Sequence, residues 1–292
     1  MTTPSRPTIA AAVASARAAF DGEGIGSPDA DAVELAAFAL GTDASEVRRR
    51  MVLRDPADVG FLDRYDGLVA ERLSRVPLQH LTGRAFFRRL TLAVGPGVFV
   101  PRPETEVTAG LAVEAARAAG ERPLVVDLCT GSGAIALAVA DEVPGARVHA
   151  VELGPEAHAW AAQNVARLGL LVQLRLGDAT TAFDDLEGSV DVVVSNPPYI
   201  PDGAVPVDPE VRDHDPELAL YGRSRDGLAV PLAVAARAAV LLRPGGTLVM
   251  EHADEQGESL PAALRATGDW VDVVDHRDLT GRPRTTVAVR AS

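Results

Sequence analysis

The densest chemistry in this chain lies in Ser195-Asn196-Pro197-Pro198-Tyr199-Ile200. Neither proline has an N–H to give to a sheet ladder, and their fixed φ stiffens the backbone. Each also drives the residue before it away from helix. Asp191 and the run Val192–Val194 lead in, which reads as a parallel strand buried on both faces. The Asn196 amide and the Tyr199 ring are therefore held on a rigid frame past a strand's carboxyl end, where open α/β sheets bind ligands.

A second set lies upstream. Asp127-Leu128-Cys129-Thr130-Gly131-Ser132-Gly133-Ala134 reads as strand, glycine loop, helix. Gly131 and Gly133 let backbone approach a ligand, with Thr130 and Ser132 between them and an electropositive helix start behind. Asp127 sets this loop apart from a dinucleotide site. An anion there suits a cationic ligand, such as the amino group and sulfonium of S-adenosyl-L-methionine, better than a pyrophosphate. Glu152 ends the next strand and is suited to accept from ribose hydroxyls, and Asp178-Ala179 follows the strand after, where adenine would lie.

The elements that must position these residues alternate from Pro123 onward. Strands are expected at Leu124–Leu128, Arg147–Glu152, Val172–Leu176, Val190–Ser195 and Thr247–Glu251, with helices at Ala134–Asp141, Pro155–Leu168 and Gly227–Leu242. Two last strands, Trp270–Asp275 and Thr285–Val289, close the sheet as an antiparallel hairpin. The expectation is an α/β, doubly wound, mostly parallel seven-stranded sheet. Residues 1–84 read as a small helical domain, with Ser27-Pro28 as a capped start, Gly41 as a stop, and a later stripe of Phe61, Tyr65, Leu68, Val69 and Leu73. Residues 85–100 read as a β-hairpin linker that turns at Gly95-Pro96-Gly97 and returns through Val98–Val100. Residues 101–292 form the catalytic domain, opening with a helix that runs from Pro101 to about Ala119.

A net charge of −13 argues against a phosphate-neutralising surface, so no direct nucleic-acid contact is expected. The single cysteine, Cys129, rules out an internal disulfide and makes the cytoplasm the default location. No apolar run spans a bilayer, and Met1–Pro7 lacks a signal pattern.

With these residues in view, the sequence resembles the release-factor glutamine methyltransferases, a family of class I S-adenosylmethionine-dependent methyltransferases. The matching stretches include Pro77–Gly83, Val100-Pro101-Arg102-Pro103-Glu104-Thr105-Glu106, Asp127–Ala136, Ser195–Ile200, Asp226-Gly227-Leu228, Pro244-Gly245-Gly246 and Arg277–Gly281. The resemblance implies methyl transfer to the side-chain amide nitrogen of the glutamine in the Gly-Gly-Gln loop of peptide-chain release factors; separately from it, a monomer is expected. The resemblance also implies that the Asn196 oxygen and the Pro197 carbonyl accept from the amide while Tyr199 packs on it beside Pro198. Arg102 and Glu104 would stand at the mouth of the site. The cofactor would lie on Asp127, Cys129, Thr130, Gly131, Ser132, Gly133, Glu152, Asp178, Ala179 and Asn196. Cys129 departs from the family's usual glycine, His80 from a common Tyr, and His252 from an apolar residue. His214, in an acidic stretch, reads as part of a flap rather than a metal ligand. A DNA adenine-N6 methyltransferase and a non-catalytic nucleotide-binding module are the alternatives.

Overall fold

The computed structural model describes residues 7–292, so the signal-free reading of the first residues falls outside it except at Pro7. In chain order the elements are α1 (Ile9–Gly22), α2 (Pro28–Leu40), α3 (Ala44–Leu53), α4 (Val59–Leu73), α5 (Leu78–Thr82), β1 (Arg84–Phe87), β2 (Leu90–Ala93), α6 (Thr105–Ala118), β3 (Leu124–Leu128), α7 (Ala134–Glu142), β4 (Arg147–Glu152) and α8 (Pro155–Leu168). They continue as β5 (Val172–Leu176), β6 (Val190–Ser195), α9 (Pro209–His214), α10 (Ala229–Leu241), β7 (Leu242–Glu251), α11 (Ser259–Thr267), β8 (Trp270–Arg277) and β9 (Pro283–Arg290). The chain divides into two units. One runs to Gly83 and takes in Asp208–His214; the other holds Arg84–Val207 and Asp215–Ser292.

The first unit is helical. α1, α3 and α4 start on Thr8, Asp43 and Asp58, whose side chains accept from backbone N–H groups in the first turn. Ser27 stands at the start of α2 but makes no such bond; Pro28 alone pre-sets the first turn. Phe20, Leu35, Phe61 and Tyr65 are fully buried, and the last two stack with ring centres 5.2 Å apart. The Tyr65 hydroxyl donates to the Ala32 carbonyl, so the ring enters the core with its polar end satisfied. α9 joins this unit through Glu210, whose carboxylate accepts from Arg72 at 2.7 Å and Arg75 at 2.8 Å, while Arg72 also donates to Asp31.

In the second unit the sheet order is β5-β4-β3-β6-β7-β9-β8. Only β9 runs against the rest. Valines of β3 and β6 are buried on both faces, as parallel strands between helical layers require. The hairpin differs from expectation. It is β1 with β2, Arg84 facing Ala93, and its turn is Arg88-Arg89; Val98–Val100 is not a strand. Gly95-Pro96-Gly97 instead lies against α8, where a Cβ on Gly95 would stand 2.6 Å from the Trp160 ring. The true turn puts Arg88 at φ 51, a conformation arginine seldom adopts, held by Glu106 and Glu142. β7 also starts at Leu242, earlier than expected, with a register shift between Val190 and Val192 of its neighbour.

Candidate active site

Strand order reverses between β3 and β6, the switch point where such sheets open a crevice. Leu128 is paired with Ser195 there, and the buried Ser195 hydroxyl donates to the Leu128 carbonyl. The glycine loop after β3 and the Asn196 loop after β6 thus leave the sheet side by side. Of everything read from the sequence, this adjacency matters most.

Asp127 is fully buried. Its Oδ2 accepts from Thr130 Oγ1 at 2.6 Å and from the Ala136 amide at 3.1 Å, while Oδ1 has no hydrogen-bond partner among the described residues. Burial pushes its carboxyl up to about 7. An orphaned buried oxygen of this kind is costly unless a donor reaches it. A ligand's ammonium group fits that need. Gly131 (φ 57) and Gly133 (φ 85) both adopt the left-handed conformation, and a Cβ on Gly131 would meet open space. Cys129 has φ 66, so the position where the sequence departs from glycine is one that glycine suits. Burial also pushes its thiol up, which favours the protonated form. Ser132 is buried, its carbonyl held by Asn164 Nδ2.

Glu152 takes the Gly131 amide on Oε2 at 2.8 Å and the Gly154 amide on Oε1 at 2.7 Å, tying two strand-end loops together. Asp178 holds its own turn, with Oδ1 accepting from the Thr180 amide and hydroxyl, and Ala179 beside it is buried. Glu152 is the last residue of β4 and Asp178 lies two residues past β5, so both stand at the carboxyl ends of strands, as the loop after Asp127 does.

Asn196 follows β6, and its Nδ2 donates to Thr105 Oγ1 at 3.4 Å. Pro197 is buried and Pro198 partly so. The Tyr199 phenol is held above its ordinary range by burial and the nearby Glu251 charge. Its backbone carbonyl accepts from Gln256 Nε2 at 3.0 Å. Arg102 is paired with the buried Asp215 at 2.9 Å and lies over the Phe99 ring. Glu104 directly precedes α6, close enough to Arg284 and Glu251 for its charge to act on both. In the helical unit, the His214 ring meets His80 edge-on.

Several residues here carry no local sequence signal. Gln256 bridges the Tyr199 and Asp226 carbonyls, and Glu251 is buried between Thr105 and Thr108. Asn164 bonds both backbone groups of Ala93 and the Ser132 carbonyl, joining hairpin to glycine loop. Glu251 alone among them had a discoverable trait, an acid ending a parallel strand as Glu152 does and as Asp127 nearly does.

Two family models match the chain: the PrmC N-terminal domain over residues 11–83 and the methyltransferase small domain over residues 89–208. A release factor glutamine methyltransferase of Streptomyces coelicolor is 52% identical over 97% of this chain and 98% of its own. The chain belongs to the release factor glutamine methyltransferase family. Within reach of the same family is a 4-amino-L-phenylalanine/4-methylamino-L-phenylalanine methyltransferase of Streptomyces pristinaespiralis, 41% identical over 92% of this chain and 91% of its own. Among solved structures, a Thermus thermophilus 16S rRNA N2 G1207 methyltransferase shares the fold, with TM-score 0.51, 22% identity, and coverage of 71% of this chain and 49% of that one. The enzyme uses S-adenosylmethionine, and no helix among its described residues is long and apolar enough to cross a membrane.

Proposed function

We propose that this protein methylates N5 of the glutamine in the Gly-Gly-Gln loop of peptide-chain release factors. The observation that carries the reading is the Leu128–Ser195 pairing, which sets the glycine loop beside the Asn196 loop. Bound S-adenosylmethionine supplies an electrophilic methyl group on a sulfonium. Asp127, Gly131, Gly133, Glu152 and Asp178 are the residues to hold it, with Cys129, Thr130, Ser132 and Ala179 shaping the loops and Asn196 bordering it.

An amide nitrogen is a poor nucleophile because its lone pair is delocalised into the carbonyl. The residues must therefore orient it rather than merely deprotonate it. The Asn196 Oδ1 and the Pro197 carbonyl accept its two N–H groups, so the nitrogen faces the methyl. Pro198 keeps that loop stiff, and Tyr199 covers the flat amide and excludes water. Arg102 and Glu104 line the approach. Catalysis then rests on orientation and fixed dipoles. The nitrogen would gain the methyl as the sulfonium's S–CH3 bond breaks to leave a neutral thioether, and one amide N–H proton would be released to solvent as the positive charge passes to nitrogen. We further propose a cytoplasmic monomer that makes no direct nucleic-acid contact, in keeping with the net charge of −13.

The deciding assay incubates the protein and S-adenosylmethionine with release factor, duplex DNA or 4-amino-L-phenylalanine. The reading expects one added methyl on the glutamine-bearing peptide of the release factor alone. Methylated adenine or arylamine without methylated glutamine would replace it, and cofactor binding with no methyl transferred would favour a binding module. Asn196→Ala should lower kcat by about 100-fold or more while S-adenosylmethionine still binds; equal loss of both would remove Asn196 from the chemistry.

A further inference from the structure

Behind the Asn196 loop lies a buried polar chain with a defined direction. Glu251 is 2% exposed at the end of β7 and takes Thr105 Oγ1 on Oε1 at 3.1 Å and Thr108 Oγ1 on Oε2 at 2.9 Å. Thr108 on α6 and Thr285 on β9 share a further hydroxyl bond of 2.8 Å. Thr105 then accepts from Asn196 Nδ2. An ionised carboxylate only accepts, so the single Thr105 proton points at Glu251 and the hydroxyl's lone pair points at Asn196. A flipped Asn196 amide would set its oxygen against that lone pair. With its nitrogen end committed in this way, Asn196 turns its oxygen to the ligand.

We propose that Glu251 is a positioning residue for methyl transfer, acting through Thr105 to fix which end of the Asn196 amide faces the acceptor. This deepens the proposed function and rests on it for the identity of the acceptor. The 3.4 Å bond is long, as catalytic contacts often are before the acceptor binds. Burial pushes the Glu251 carboxyl up to about 7. Arg284 on β9 opposes that rise, Glu104 beside α6 adds to it, and the Tyr199 hydroxyl lies within the same field. Protonation would give the carboxyl a donor of its own and free Thr105 to donate to Asn196, which favours the unproductive flip. The orientation therefore weakens as pH falls through neutrality.

The experiment uses the full-length protein with intact release factor. Glu251→Gln should lower kcat about 10- to 100-fold, leave the KM for S-adenosylmethionine within about twofold, and abolish the acid limb of the wild-type kcat profile. Asp127 rises to a similar range, so a limb that survives in Glu251→Gln belongs to Asp127 and overturns the proposal. Thr105→Val should reproduce the kcat loss and Thr105→Ser should restore it; wild-type kcat in Thr105→Val also overturns it. A third readout needs no methyl transfer. The Asn196 side-chain amide, identified in ¹⁵N spectra by its loss in Asn196→Asp, should titrate near neutrality in the wild type and not in Glu251→Gln. A static amide in the wild type sinks the positioning role. A wild type that titrates but never methylates release factor sinks the proposed function instead.

Discussion

Asp127 and Glu251 hold charge at a cost to stability. Both carboxyls are pushed up to about 7 by burial, whereas in the unfolded chain they titrate near 4. Between those values the folded protein binds more protons than the unfolded one, so stability falls as pH rises from about 4 to about 7, and the penalty is complete above that. Asp127→Asn should therefore melt higher than the wild type at pH 8 without cofactor, by on the order of 1–3 kcal/mol, and converge with it near pH 4. Its S-adenosylmethionine affinity should drop in the same preparation, as calorimetry would show. Cys129 poses the opposite test, since its φ of 66 penalises any side chain. Cys129→Gly should be at least as stable as the wild type, and Cys129→Val about 1–2 kcal/mol less stable than Cys129→Gly in thermal melts.

The loops are built less from their own residues than from a brace laid across them. Gln256 Nε2 donates to the Tyr199 carbonyl at 3.0 Å and the Asp226 carbonyl at 2.8 Å, while its Oε1 accepts from the Ala253 amide. Gly227, at φ 73, passes so close beneath that a Cβ would stand 2.0 Å from the Tyr199 carbonyl. Gln256→Ala should cut kcat about 10- to 100-fold with little change in cofactor affinity, by stopped-flow and equilibrium binding. Unchanged turnover would show that the loop holds its shape unaided. The strands and the loops that follow β3 and β6 were legible because buried valine runs, glycines and prolines carry their structural reasons locally. Gln256, Asn164 and Thr105 were not, because each acts on backbone or side chains far along the chain and sits among residues of no local distinction. The hairpin was misread for a related reason. Gly95-Pro96-Gly97 carries every mark of a turn, yet its glycine serves Trp160, while the real turn uses an arginine that tertiary partners force into place.

At the scale of the molecule, the segment after the Asn196 loop does not stay with the sheet. Asp208–His214 is counted with the helices, anchored by Glu210. Burial alone would raise that carboxyl, but bonds involving Asp208 and Arg72 outweigh it and hold it down at about 2. Its contribution is present above the ordinary glutamate range and is lost as pH falls toward 2. Glu210→Gln leaves Arg72 and Arg75 short of their partner and should cost about 3 kcal/mol in urea unfolding at pH 7. The difference from wild type should shrink on acidification. Sequence reading gave no hint of this excursion, because an acidic helix start such as Asp208-Pro209-Glu210 looks like any solvated one.

That excursion has a consequence for how such enzymes are recombined. The polypeptide enters the helical unit twice, so no single crossover point separates it from the unit that holds the sheet. An engineer transplanting the helices from a relative would need to carry the short Asp208–His214 stretch with them. A chimera made by one splice near Gly83 would seat a foreign set of helices around a native Glu210, with the matching arginines left to chance.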